Sequence, residues 1–391
     1  MKTMSTKEID DTYVASTYKR FPVELVSGKG SILKDVNGKE YIDLGAGIGV
    51  SSFGACDEVW QKAVTDQIGK IQHTSNLYYS APCANLAKVL CERTGMKKVF
   101  FSNSGAEANE CAFKAARKYA QDKKGAEYST IITLEKSFHG RTITCLAANG
   151  QEVFHRLYQP LTPGFVSVPA GDMEALKEAV RNNKTAAVMI ECIQGEGGVI
   201  KLDPAYVKAV ERFAKENDIL LVVDEVQTGN GRSGYLYSYM GYGIEPDIVS
   251  TAKGLAGGLP LGATMLGEKV QNVFNPGDHG STFGGNPVSC AAALSIINRI
   301  DDDLLSEVRK KSDYVFKTLE GAEGVESVSG MGLMIGIKPA KRSAAEIVNA
   351  CMERGVLPLT AKDKIRLLPA LTIPMDELKE AIEIIKEECA R

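Results

Sequence analysis

Ile219-Leu220-Leu221-Val222-Val223 runs without a polar break into Asp224-Glu225, and this stretch decides the fold class. A short apolar run that stops at carboxylates is the pattern of a strand buried on both faces, the habit of parallel sheets. Four more runs of the kind surround it: Val99-Phe100-Phe101, Thr130-Ile131-Ile132, Ala187-Val188-Met189-Ile190 and Asp247-Ile248-Val249. Helical patterns separate them over residues 60–270, which predicts an α/β fold with a large, mostly parallel sheet. Beyond residue 281, helical stretches alternate with apolar runs at 333–337, 356–359 and 365–368, a smaller α/β unit. Ahead of the sheet, 24–26, 31–33 and Tyr41-Ile42-Asp43-Leu44 read as strands, with Asn37-Gly38 as a tight hairpin turn. The expected division is an N-terminal segment, 1–55, whose hairpin packs on the small domain, a large domain, 56–280, and a small C-terminal domain, 281–391.

Composition narrows the function. The 391 residues are 44% hydrophobic and 24% charged, as in ordinary globular proteins, and the formal net charge of -3 argues against nucleic acid or an anionic membrane as partner. No apolar run approaches the roughly 20 residues of a membrane helix. The polar start MKTMSTKEIDDTYV lacks an apolar signal core, so a cytoplasmic location is expected. The nine cysteines form no CxxC pair and the four histidines no HExxH, so reduced thiols and no metal site are expected.

In parallel sheets ligands sit beyond the carboxyl ends of the strands, so the polar residues there carry the functional reading. Asp224 ends one run. Lys253 ends another, within Ser250-Thr251-Ala252-Lys253-Gly254, where small apolar neighbours would desolvate its ammonium and lower its pKa. Each alone has a plain structural reason to be there. Together they match what pyridoxal 5′-phosphate (PLP) asks for: a lysine for its aldehyde carbon and an acid for its ring nitrogen. Ser102-Asn103-Ser104-Gly105-Ala106-Glu107 then leads from a strand into an alanine-rich helix, whose free N–H groups suit a phosphate. Read alone, it is equally a simple capped helix start. Phe138-His139-Gly140-Arg141 offers an aromatic face and a guanidinium, while Glu191, Glu196 and Arg366 stand at the ends of or within apolar runs. Packing or a structural ion pair would also account for Phe138, Glu191, Glu196 and Arg366. Gly45-Ala46-Gly47-Ile48-Gly49 has the wrong spacing for a dinucleotide fingerprint, and no P-loop is present.

With these stretches, together with Asp224-Glu225-Val226-Gln227-Thr228-Gly229 and Ser281-Thr282-Phe283-Gly284-Gly285-Asn286, the chain resembles the class III, fold-type I PLP-dependent aminotransferases. Within them it is most similar to the acetylornithine aminotransferases. The resemblance implies a seven-stranded-type, mostly parallel sheet in a PLP-binding large domain. It implies that Lys253 holds PLP as a Schiff base and moves the proton, with Asp224 on the ring nitrogen and Gln227 on the phenolic oxygen. Ser104, Gly105 and Ala106 would hold the phosphate, Phe138 would stack on the ring, and Glu225 and Val226 would lie beside it. Thr282 would reach the phosphate from the partner subunit of a homodimer whose active sites lie at the interface. Arg141, with Tyr18 and Ser281, would bind the substrate carboxylate, and Arg366 with Glu196 would switch the site between acetylornithine and glutamate or 2-oxoglutarate. The activity implied is reversible amino transfer from N2-acetyl-L-ornithine to 2-oxoglutarate, giving N-acetylglutamate 5-semialdehyde and L-glutamate, a step of arginine biosynthesis. Ile48 stands where ornithine δ-aminotransferases have tyrosine, and an apolar wall suits an acylated amine better than a charged one. Rival readings are transfer from succinylornithine, ornithine, an acyl-lysine intermediate or 4-aminobutyrate, and a PLP- or amino-acid-binding protein without turnover. The chain departs from the family at Ala55-Cys56, Cys192 and Ala370.

Overall fold

In the computed structural model, which describes residues 4–391, seven strands form one sheet. Their spatial order is Lys98–Ser102, Gly262–Leu266, Ile248–Thr251, Leu220–Asp224, Thr185–Ile190, Thr130–Leu134 and Phe165–Val168. Only Gly262–Leu266 runs against its neighbours; the other six are parallel. The central strands are buried throughout, as their continuous apolar runs require. Gly105–Lys124 covers one face with Ala108, Ala112, Ala115, Ala116 and Ala120 turned inward. Their three- and four-residue spacing makes a flat, small stripe that lets the helix approach the sheet closely.

A second core gathers Val308, Val315, Ile335, Ile347, Ile365, Leu367, Leu378 and Ile382. It packs the helices Asp302–Leu319, Ala344–Glu353 and Met375–Ala390 against an antiparallel sheet ordered Val325–Met331, Met334–Pro339, Lys364–Leu367, Leu359–Ala361. The N-terminal strands Leu25–Lys29, Ile32–Asp35 and Glu40–Asp43 extend to Val356–Leu357 in a further sheet, with Val356 opposite Ile42. Ile42 and Leu44 enter the second core.

Two expectations need correction. The run at 356–359 is divided between two sheets at Pro358, which has no N–H to donate and so breaks a continuous ladder. The helix Pro287–Ile297 falls on the far side of the boundary expected at 281: Cys290, Ala293, Ile296 and Ile297 join the first core, where the helix meets Glu58–Ile68 and Ala81–Thr94. Arg232 ties the two cores together. Fully buried, it donates to the carbonyls of Leu333 and Pro369.

Candidate active site

A cavity of about 350 Å³ opens at the carboxyl ends of the central strands. Val222 pairs with Ile248 and Asp224 with Ser250, so Asp224 and Lys253 emerge from adjacent strands into the same space. Ser104, Gly105, Ala106, Phe138, Val226 and Gln227 line it as well.

One wall is the start of the helix Gly105–Lys124. Ser104 caps it, accepting the Glu107 N–H at 3.2 Å, while Glu107 reaches back to the Asn103 N–H at 2.7 Å. The first-turn N–H groups of Gly105 and Ala106 have no partner within the helix, which leaves them for an anion. Gly105 is required by a close approach: a Cβ there would lie 2.6 Å from Val226 Cγ1.

Asp224 is 4% exposed and fully engaged. Its Oδ2 accepts from His139 Nδ1 and from Asn109 Nδ2, both at 2.8 Å, and its Oδ1 accepts the Val226 N–H at 2.9 Å. A carboxylate only accepts, so His139 must donate through Nδ1. Burial pulls the His139 pKa down, but hydrogen bonding and the charge of Asp224, with Glu191 behind, outweigh it and raise the value. Burial lowers the Lys253 pKa against the pull of Glu196, Asp224 and Glu191. The Lys253 backbone has φ 46, left-handed for a residue with a side chain. Asn230 braces the approach to it, donating to Thr251 Oγ1 at 3.0 Å and to the Ala252 carbonyl at 3.1 Å.

Arg366, 4% exposed, pairs with Glu196 through one guanidinium nitrogen and reaches Gln227 Oε1 at 3.3 Å with the same nitrogen; its Nε is buried without a partner. Burial raises the Glu196 pKa, but the Arg366 charge overrides it and holds the carboxyl below the usual range.

Other residues singled out from sequence lie elsewhere. Glu225 does not line the cavity; it is fully buried, accepting from Thr228 Oγ1 at 2.5 Å, Ser238 Oγ at 2.6 Å and the Tyr239 N–H at 2.8 Å. Adjacent positions on a strand end point to opposite faces, so Asp224 inward means Glu225 outward. Arg141 is exposed, with its guanidinium 4.8 Å from the Phe154 ring centroid and 5.7 Å from that of Phe138. Ser281 accepts from Asn103 Nδ2 at 3.1 Å; Thr282 and Tyr18 are exposed and outside the cavity lining. Sequence reasoning gave no role to Asn109 or His139. An asparagine on the buried alanine stripe of a helix is the signal that was there to find. Among the described residues, no group of three or more histidine, cysteine or acidic side chains is placed to hold a metal.

The class-III aminotransferase family model matches residues 13–388. The chain belongs to this family. It is 48% identical to the acetylornithine aminotransferase of Haemophilus ducreyi over 97% of each chain. Among solved structures, it resembles the N-acetylornithine aminotransferase of Stenotrophomonas maltophilia (TM-score 0.84, 33% identity, 98% of each chain). It also resembles a Toxoplasma gondii ornithine aminotransferase with PLP partly occupying its active site (TM-score 0.94, 30% identity, 100% of this chain and 95% of the other). The higher TM-score of the ornithine enzyme and the higher identity to an acetylornithine enzyme point different ways. Backbone similarity reports the shared fold, and substrate choice resides in individual side chains.

Class-III aminotransferases use PLP, and this cavity fits it. The N–H groups of Gly105 and Ala106 would take the phosphate, the buried Asp224 carboxylate would stand at the ring nitrogen, Phe138 would offer a ring face, and Lys253 would supply the amine.

Proposed function

We propose that this aminotransferase moves the terminal amino group of N2-acetyl-L-ornithine to 2-oxoglutarate, reversibly, forming N-acetylglutamate 5-semialdehyde and L-glutamate. The observation that carries the chemistry is the meeting of Lys253 and the His139-braced Asp224 in one cavity. The choice of acetylornithine is supported by the 48% identity to an enzyme of that name. Ile48 lines a separate cavity with Gly45, Gly47 and Leu359, outside the lining of the Lys253 cavity.

Bound PLP supplies an electron sink that makes exchange of an amine between two carbons feasible. The chain does the rest. Lys253, its charged form disfavoured by burial, offers a nucleophilic ε-nitrogen and then carries a proton on that atom. Asp224, its carboxylate held by three donors, would stand at the ring nitrogen and favour a proton there. Gln227 would orient the phenolic oxygen and Phe138 would pack on the ring. Arg366 pairs with Glu196 while the acylated amine reacts, and turns to the second carboxylate when glutamate or 2-oxoglutarate enters. Arg141, with Tyr18 and Ser281, receives the α-carboxylate. Thr282 from a second copy completes the phosphate site of a homodimer; the exposed Leu77, Tyr78, Tyr79 and Phe283 are the apolar surface such a contact would cover. All nine cysteines are free, in keeping with a cytoplasmic enzyme. Among the described residues no helix is long and apolar enough to cross a membrane.

Glutamate formation from N-acetylornithine, N-succinylornithine, ornithine, acetyl-lysine and 4-aminobutyrate tests the reading. The acetylated substrate should have the highest kcat/KM; a preference for free ornithine or 4-aminobutyrate would sink it.

A further inference from the structure

Glu191 has no assigned task, yet it lines the cavity and is 5% exposed. It stands just past the buried strand Thr185–Ile190. No lysine or arginine pairs with it among the described residues. Its two oxygens are used separately: Oε1 accepts the Phe138 N–H at 2.9 Å, and Oε2 accepts the Gly195 N–H at 3.4 Å. Phe138 precedes His139, the partner of Asp224. Gly195 precedes Glu196, the partner of Arg366. The second anchor is also sterically tight, because a Cβ on Gly195 would lie 2.2 Å from Gln227 Oε1. One carboxylate therefore spans the loop behind the cofactor ring and the loop behind the substrate-side ion pair.

We propose that Glu191 is a positioning residue that couples these loops, its ionised carboxylate gripping both and its protonated form releasing one. A carboxylate accepts at both oxygens; a carboxylic acid turns an O–H toward one of the two N–H donors, and that contact is lost. Gly195 is the weaker anchor at 3.4 Å, so protonation frees the segment that carries Glu196 and loosens its hold on Arg366. The inference rests on Arg366 receiving the second carboxylate of glutamate, and not on the identity of the acyl group.

The switch falls near neutrality. Burial raises the Glu191 pKa to about 7, His139 opposes the rise and Asp224 adds to it. Above that value the grip is in place; as pH falls through it, the grip is lost. The ionisable groups facing Glu191 are His139 from the loop after Thr130–Leu134, Asp224 at the end of its strand, Lys253 beyond Ile248–Thr251, and the neighbouring Cys192 thiol. The Cys192 thiol is pushed far up by burial and stays protonated. His139 and Lys253 must be separated experimentally.

The test uses glutamate as amino donor with the PLP-loaded enzyme, together with NMR of the cofactor-free protein carrying ring-labelled histidine. Only four histidines exist, at 73, 139, 155 and 279, so a His139→Gln variant assigns the His139 signal. As pH drops from a unit above the Glu191 value to a unit below it, wild-type KM for glutamate should fall roughly tenfold, the worth of the charge-assisted hydrogen bond with which Glu196 competes for Arg366. Glu191→Gln should show the lowered KM throughout and no such pH step, with KM affected more than kcat. Lys253 titrates in both proteins, so it cannot account for a step present in only one. The wild-type His139 resonance should show a step near that pH in addition to its own titration, and that added step should vanish in Glu191→Gln. Should Glu191→Gln not fold, the Glu191 carboxyl resonance of wild-type protein carrying carboxyl-labelled glutamate decides instead, because His139 itself can titrate in the same range. A wild-type His139 signal without the step, or a Glu191→Gln enzyme with the wild-type KM profile, overturns the proposal. Absence of any glutamate turnover would instead strike the aminotransferase reading, and the histidine titration would still decide the role of Glu191.

Discussion

At the inner end of the cavity Asp224 is 4% exposed and takes three hydrogen bonds, whereas Arg141 lies exposed with only the faces of Phe138 and Phe154 against it. Tyr18 is 76% exposed and Thr282 open to solvent. The inner groups come from strand ends and a helix start packed into one core of a single chain. The outer groups hang on loops with their polar ends unspent. A site built this way would hold its cofactor with rigid parts and meet its substrate with parts that a second surface or the substrate itself orders.

Four changes would break or sharpen that contrast. Lys253→Ala should cost on the order of 10⁴-fold or more in turnover and abolish the borohydride-trappable bond to PLP, read by mass spectrometry. A fully active variant would refute the inner site outright. Asp224→Asn should keep PLP bound but lower kcat roughly 10²–10³-fold. It should also destabilise the fold by about 2–3 kcal/mol in denaturant titration, because buried His139 loses its anion. Equal rates would deny Asp224 its role. Gly105→Ala should weaken PLP about tenfold by equilibrium titration, since its Cβ must displace Val226; unchanged affinity would mean that this wall yields. Arg141→Lys should act least, raising KM for the amino donor about fivefold with kcat nearly held. An equal fall in kcat would move Arg141 into the inner group.

The buried central strands were legible because an unbroken apolar run of that length fits little besides a strand covered on both faces. Phe165–Val168 and Gly262–Leu266 were not. The first is a partly exposed edge strand of four residues, and the second opens on a glycine after Gly257-Gly258-Leu259-Pro260, which reads as loop. Val325–Met331 escaped for a similar reason, its Glu326, Ser327 and Ser329 giving no apolar run. In the site, residues carrying chemistry of their own could be found: a lysine among small residues, a carboxylate at a strand end. His139 and Asn109 serve Asp224 from 85 and 115 residues away, and such partnerships exist only once the chain is folded. Glu225, which the resemblance put beside the ring with Val226, lies outside the cavity lining because strand geometry sends it to the side opposite Asp224.

The left-handed backbone at Lys253 has a thermodynamic meaning of its own. A side chain there forfeits about 1–2 kcal/mol that glycine would not. The native protein is therefore not the most stable form of its own fold at this position: it carries a standing load so that an amine projects into the cavity from a fixed point, and whatever anchors the chain on either side, Asn230 foremost, bears that load in every folded molecule.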